Sequence, residues 1–139
     1  MFVSEEKDMK TVEELKEFFK MDRFVASCGV EIVSVDEQKS VLRAKVSDMH
    51  LNANDCVQGG MLFTLCDFAM AVLGNALHPV TVTSNASVTY LAPCKNTEFV
   101  YAESREIARS RHNCSHEVKV YDDGGNIVCV AQVNGFIKE

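Results

Sequence analysis

The stretch from Gln58 to Asn75 constrains the fold more than any other part of the chain. On a helical period its apolar residues Leu62, Phe63, Leu65, Phe68, Ala69, Val72 and Leu73 occupy almost every side. A helix that is apolar nearly all round has to be covered nearly all round. The positions left over, Gly60, Thr64, Asp67, Ala71 and Gly74, recur at i, i+4, i+7, i+11 and i+14 and form one thin stripe of small or polar residues. This stripe is expected to face a crevice, a partner chain or a ligand, with the other faces in the core. A membrane span is not expected: the apolar run is about fifteen residues against the ~20 needed, and Asp67 interrupts it.

The segments on either side supply the cover. Thr11 to Glu14 is a capping box, which predicts a helix from Val12 to about Lys20. Asp22 caps a second short helix, Arg23 to Cys28, stopped by Gly29. Strands are predicted over Val30–Val35 and Val41–Val46, and a polar loop, Ser47 to Gln58, leads to the central helix. After Pro79 the chain is all strand. Val82, Ser84, Ala86, Val88 and Tyr90 alternate with Thr81, Thr83, Asn85, Ser87 and Thr89. Two further strands carry Phe99, Tyr101 and Ile107, then Cys114, His116, Val118 and Val120. A hairpin turn at Asp123 to Gly125 precedes a last strand through Ile127, Cys129, Ala131, Val133 and Ile137. The economical arrangement is an α+β fold in which one curved antiparallel sheet wraps the long helix. Its two open edges and the small-residue stripe predict a dimer with a continuous sheet.

At 139 residues one domain is expected, here 22–139, preceded by a helical extension, 1–21. A net charge of −6 argues against nucleic-acid binding, which needs clustered Lys and Arg. No charged-then-apolar leader is visible, so a cytoplasmic location is expected. Six cysteines without a C-x-x-C pair are read as free buried thiols. By the same spacing no metal site is expected: His50, His78, His112 and His116 make no familiar ligand pair with nearby Cys, and His112 with His116 lies in a predicted strand.

Asp67 is the chemical anomaly. A carboxylate among apolar residues loses hydration and is disfavoured unless something pairs with it or uses it. The structural alternative is a core acid satisfied by Thr64 or by a neighbouring backbone group. Two glycines open the same helix, where unpaired backbone N–H groups face outward with the helix dipole behind them. A base or nucleophile and an oxyanion site on one short element suit acyl-transfer chemistry.

These residues resemble a known family. His50-Leu51-Asn52, Val57-Gln58-Gly59-Gly60, Leu65-Cys66-Asp67 and Val88-Thr89-Tyr90-Leu91-Ala92-Pro93 are similar to motifs of hotdog-fold thioesterases of the phenylacetic-acid-degradation (PaaI-like) type. The most specific part is the spacing of Asn52, Gln58 and Asp67, six and nine residues apart, and the likeness covers about residues 22 to 138. The resemblance implies a hotdog dimer, usually paired into a homotetramer, that hydrolyses acyl-CoA without a metal or other cofactor. Its sites lie at the dimer interface, with helix and acid from different subunits.

Carried over, Asp67 is the nucleophile or the general base, and the Gly59 N–H, with that of Gly60, polarises the thioester carbonyl. Asn52 orients water or carbonyl, and Thr83 helps to place the water. Gln58 departs from the His that many members carry before Gly-Gly. It cannot act as an acid or base, but its amide can position a thioester by hydrogen bonding. Thr64 is a further candidate for substrate contact. Arg105, Arg109, Arg111 and His112 cluster at a strand junction, and Arg109 and Arg111 are the better candidates for clamping coenzyme A phosphates. A solvated hairpin end explains the same cluster.

The main alternative is a non-catalytic acyl-CoA-binding hotdog module, as in regulators of this fold; residues 1–21 are too short and too acidic for a DNA-binding segment. A hydratase of the same fold relies on a helix His that this chain lacks.

Overall fold

The computed structural model describes residues 9–138. Residues 1–8 of the expected N-terminal extension therefore lie outside the described residues. Helix α1 spans Val12–Phe18 and opens on the predicted capping box: the Thr11 hydroxyl accepts from Glu14 N, and the Glu14 carboxylate accepts from Thr11 N. Its Leu15 is fully buried, and the Phe19 ring meets Phe68 edge-on at 5.0 Å, so this segment is docked on the long helix. Helix α2, Arg23–Ser27, is capped by Asp22 and followed by Gly29 at φ +70°, a conformation glycine reaches without steric cost.

Strands β1 (Val30–Val35) and β2 (Ser40–Lys45) precede a single 3-10 turn at Asp48–His50 and then the long helix α3, Gly59–Leu77. Strands β3 (Val80–Tyr90), β4 (Phe99–Arg109), β5 (Asn113–Asp122) and β6 (Ile127–Lys138) follow. All pairings are antiparallel, in the order β1-β2-β4-β5-β6-β3. The sheet therefore ends on β1 at one side and on β3 at the other. Helix α3 contacts all six strands, which is the wrapped architecture expected.

At 19 residues α3 is longer than the run counted in the sequence, and by length and composition it could cross a membrane. Two-thirds of it is buried in this fold, so it is the core helix. Leu65, Ala69, Met70, Val72 and Leu73 are fully buried. Each fully buried Leu or Val is worth roughly 1.5–3 kcal/mol by removal from water. The helix stops at Pro79, because the residue before a proline is steered out of the helical region; His78 is extended at φ −127°, ψ 161°.

Three expectations about faces are corrected. Phe63, expected in the core, is 40% exposed. The small-residue stripe is half-buried or open at Gly60, Thr64, Asp67 and Ala71, but Gly74 is buried, and a side chain there would strike Thr81 at 3.1 Å. Strand β3 does not alternate evenly. A bulge between Thr83 and Asn85 leaves Ser84 without a register partner, and the parity of the strand switches there. Thr81 and Thr83 face α3 before the bulge, and Ala86, Val88 and Tyr90 face it afterwards. All six cysteines are free, and all but Cys56 are buried.

Candidate active site

The loop before α3 is held from within. His50 is buried: Ser47 N donates to its Nδ1 at 3.1 Å, so Nε2 carries the hydrogen and donates to the Cys28 carbonyl at 2.8 Å. Its own carbonyl accepts Gln58 N at 2.7 Å. Between them the chain reverses. Asn52 N donates to Cys56 O at 2.7 Å, and Asp55 takes a left-handed φ of 57°. The Asn52 side-chain oxygen accepts from Asn54 N at 2.8 Å and Cys56 N at 3.1 Å. Asn52 is thus first a turn-former, and what it can offer a ligand is its amide NH2 end.

At the helix start, Gln58 is the N-cap. Its side-chain oxygen accepts the Gly60 N–H at 2.7 Å. In the single chain the Gly60 N–H is therefore engaged by the Gln58 side chain. The Gly59 N–H stands at the first helical position and has no acceptor within the helix. The Thr64 hydroxyl, a candidate for substrate contact, donates instead to the Gly60 carbonyl at 2.8 Å.

Tyr90, in sequence only part of a strand motif, is a site residue in the fold. Its hydroxyl donates to the Gly59 carbonyl at 2.9 Å, and its ring lies so close that a Cβ on Gly59 would meet it at 3.2 Å. Burial raises the Tyr90 phenol above its ordinary 10, and nearby Cys129 and Cys66 add to this, so it remains a donor at neutral pH. Glycine at 59 is what allows the aromatic ring to hold this peptide. A groove of about 440 Å³ adjoins it, lined in part by Asn52, Val57, Leu62, Tyr90 and Pro93.

Asp67 is half-buried, and its partner is neither Thr64 nor a backbone group. The Thr83 hydroxyl donates to Asp67 Oδ1 at 2.6 Å. The start of β3 is fastened to the end of α3 by Asn75, whose side chain accepts from Thr81 N at 2.9 Å and donates to Thr81 O at 3.0 Å. Those bonds place Thr83 opposite Asp67. The neighbouring Cys66 is no rival nucleophile. Its contact with Cys129 Sγ, 3.9 Å away, together with burial raises its pKa and keeps it a thiol. Gly59 and Asp67 are eight residues apart on one helix, about 12 Å at 1.5 Å per residue.

The basic cluster is split by the structure. Arg105 lies beside Glu103 at 3.8 Å, and the His112 ring stacks on Phe136 at 6.0 Å. Arg109 and Arg111 stand at the β4–β5 turn, both exposed. Arg109 lies 3.8 Å from Glu106 and borders a groove of about 540 Å³ that also touches Ser84, one residue beyond Thr83.

Comparison with known proteins places this geometry in context. The thioesterase superfamily matches this chain over residues 56–129. The acyl-coenzyme A thioesterase PaaI of Escherichia coli K12 is 31% identical over 75 residues, 54% of each chain. The solved E. coli PaaI structure superposes with a TM-score of 0.84 at 19% identity, covering 94% of this chain and 97% of that one. A hypothetical thioesterase protein from Streptococcus pneumoniae TIGR4, solved with coenzyme A, superposes with a TM-score of 0.80 at 26% identity over 88% and 96% of the two chains.

Proposed function

This chain belongs to the thioesterase superfamily, and from that premise we propose that it hydrolyses acyl-CoA thioesters at a site shared between two copies of itself. The observation that carries the reading is the separation of the two chemical groups on α3. A reacting carbonyl has to lie about 3 Å from both the base or nucleophile and the oxyanion donor. Gly59 and Asp67, about 12 Å apart on one rigid helix, cannot both reach it. A second copy whose α3 runs beside the first brings its Gly59 to the first copy's Asp67. The open β3 edge, with Thr83 exposed on it, supports pairing on that side. A dimer of dimers extends the same reading.

In this site the Gly59 N–H polarises the thioester carbonyl, and Tyr90 keeps that peptide in place. Asp67 Oδ2, the oxygen not bonded to Thr83, either takes the proton of a water that attacks the carbonyl or attacks it directly. In the first route Thr83 and the Asn52 amide orient the water. The carbon–sulfur bond then breaks and coenzyme A leaves as thiolate, taking up a proton. The first route releases the free acid directly; the second leaves an acyl–Asp67 anhydride, which water hydrolyses to the acid and the free Asp67 carboxylate. Label found in Asp67 after a single turnover in 18O-labelled water identifies the anhydride route, because attack by an activated water labels only the acid. The Gln58 amide positions the substrate without titrating, and Thr64 braces the Gly60 carbonyl at the mouth. Arg109 and Arg111 hold the phosphates.

Thiol release from a panel of aromatic and medium-chain acyl-CoAs, followed with Ellman's reagent, tests the reading. Multiple turnover that Asp67→Asn abolishes supports it. Stoichiometric acyl-CoA binding without turnover indicates the non-catalytic module instead.

A further inference from the structure

A second polar cluster lies at the far end of α3, eleven residues and about 16 Å along the helix from Asp67. His78 Nε2 is 2.6 Å from Glu106 Oε1, and His116 Nε2 is 3.6 Å from the same oxygen. The donor atoms of His78, Glu106 and Cys114 all lie within 4.8 Å of one another. His116 is completely buried, and its Nε2 has no hydrogen-bond partner. A buried imidazole nitrogen that faces a carboxylate oxygen at 3.6 Å but makes no hydrogen bond is costly, and it calls for an explanation. Its other nitrogen, Nδ1, is 2.9 Å from the Ser104 hydroxyl.

We propose that these four side chains form a binding site for a divalent transition metal of the zinc class. Two imidazoles, a thiolate and a carboxylate are the donor types zinc takes in four-coordinate sites, whereas calcium and magnesium prefer oxygen alone. Bonds of about 2.0–2.3 Å in a tetrahedron set donor separations of roughly 3.3–3.7 Å. The donors of His78, Glu106 and Cys114 already lie within 4.8 Å of one another, with His78 and Glu106 at 2.6 Å having to spread apart; His116 stands outside that group, 3.6 Å from Glu106, and has to move in to complete the set. One carboxylate and one thiolate balance the charge of the ion, which a buried site needs. Ser104 supplies the outer hydrogen bond that ligating histidines usually have; with the hydrogen on Nδ1 donated to Ser104, the lone pair of Nε2 points at the cluster.

The backbone is built for this convergence. Glu106 and His116 are register partners across β4 and β5, and Cys114 shares their inner face two residues before His116. A side chain at position 135 would strike Cys114 Sγ at 2.9 Å, so Gly135 leaves the sulfur its space. Cys114 and His116 are two apart on one strand, a spacing that the expectation of no metal site, based on familiar Cys and His ligand spacings, counted against a site. The site ties the end of α3 to two strands, and binding releases the thiol proton to solvent. It plays no part in the thioester chemistry.

Full-length protein, stripped with a chelator and kept reduced with a phosphine, is titrated with Co2+. The expected result is one equivalent per chain, with a thiolate-to-cobalt charge-transfer band and tetrahedral visible bands. Zn2+ should displace them and Mg2+ should not. Cys114→Ser should lose the charge-transfer band, and His78→Gln should weaken binding at least ~10-fold. Cys56→Ser and Asp67→Asn should bind as the parent does. Absence of a saturable one-equivalent spectrum overturns the proposal, as does a charge-transfer band that survives Cys114→Ser. If Cys114→Ser does not fold, His78→Gln decides: parental Co2+ affinity in that variant overturns the proposal equally.

Discussion

The hydroxyl of Thr83 and the carboxylate of Asp67 meet at 2.6 Å across the junction of β3 and α3, and this contact depends on a break in the strand. Had β3 alternated without the bulge after Thr83, Thr83 and Tyr90 would lie on opposite faces. Because the parity switches, one strand delivers Thr83 to the acid and Tyr90 to the glycine N-terminus of the same helix.

Asp67→Asn keeps the size of the side chain and can still accept from Thr83. It removes the proton acceptor and nucleophile. Turnover should fall at least ~10²-fold, the lower end of what a positioned general base contributes, with folding retained. Thr83→Val should cost less, since it leaves the carboxylate in place. Steady-state kinetics on the best acyl-CoA check both, and wild-type turnover by Asp67→Asn contradicts the assignment.

Gln58→Ala removes the acceptor for the Gly60 N–H. Loss of a helix N-cap side chain typically costs about 1 kcal/mol, so the melting temperature should drop measurably. The catalytic effect should be modest, in the range of about 1–3 kcal/mol for an unmet partner. Since an amide does not titrate, the pH–rate profile should keep both its limbs. A limb that disappears in the variant would show that position 58 governs a proton.

Much of this architecture was legible in the residues. The capping box at Thr11, the Pro79 stop and the strand periodicities are local signals, and they locate the α-helices and strands described to within a few residues, while the 3-10 turn at Asp48–His50 lies in what reads as a loop. What escaped were events with no side-chain signature. A bulge changes the face of every residue after it while the pattern of residue types still reads as alternation. The engagement of the Gly60 N–H depends on one rotamer of Gln58. The Gly59–Tyr90 contact, whose partners are 31 positions apart, and the His78–Glu106 pair, 28 apart, depend on sheet register, which a single sequence leaves open.

Glu103 should make stability sensitive to acid. It is buried in β4, and burial alone would raise its carboxyl, but hydrogen bonds from Lys39 and Lys119 outweigh that and hold it below its ordinary 4.5. A carboxylate lowered in the folded state adds stability that is fully present above the unfolded value and is lost as pH falls through the folded one. The melting temperature should therefore decline below about pH 4.5. Glu103→Gln should be less stable at neutral pH, where the two ammonium groups lose their partner, and should show a shallower acid slope. Parallel pH–melting curves for the two proteins would mean that Glu103 does not contribute to the acid response.

The shared site predicts complementation between two inactive variants. Asp67→Asn removes the acid. Gly59→Pro removes the N–H donor at a helix position where proline is well accepted, and the ring it presses on belongs to Tyr90, which is 52% exposed and can swing aside. If Gly59 of one copy works with Asp67 of the other, a heterodimer of the two variants has one site with both groups intact and one with neither. Random pairing makes half of the dimers mixed, so co-refolded protein should recover about a quarter of wild-type activity. A site contained within one chain would recover nothing, because each chain in the mixture lacks one of the two groups. Size-exclusion chromatography and circular dichroism of the separate variants establish that both are folded and dimeric. With that in hand, a mixture as inactive as its parents overturns the shared site.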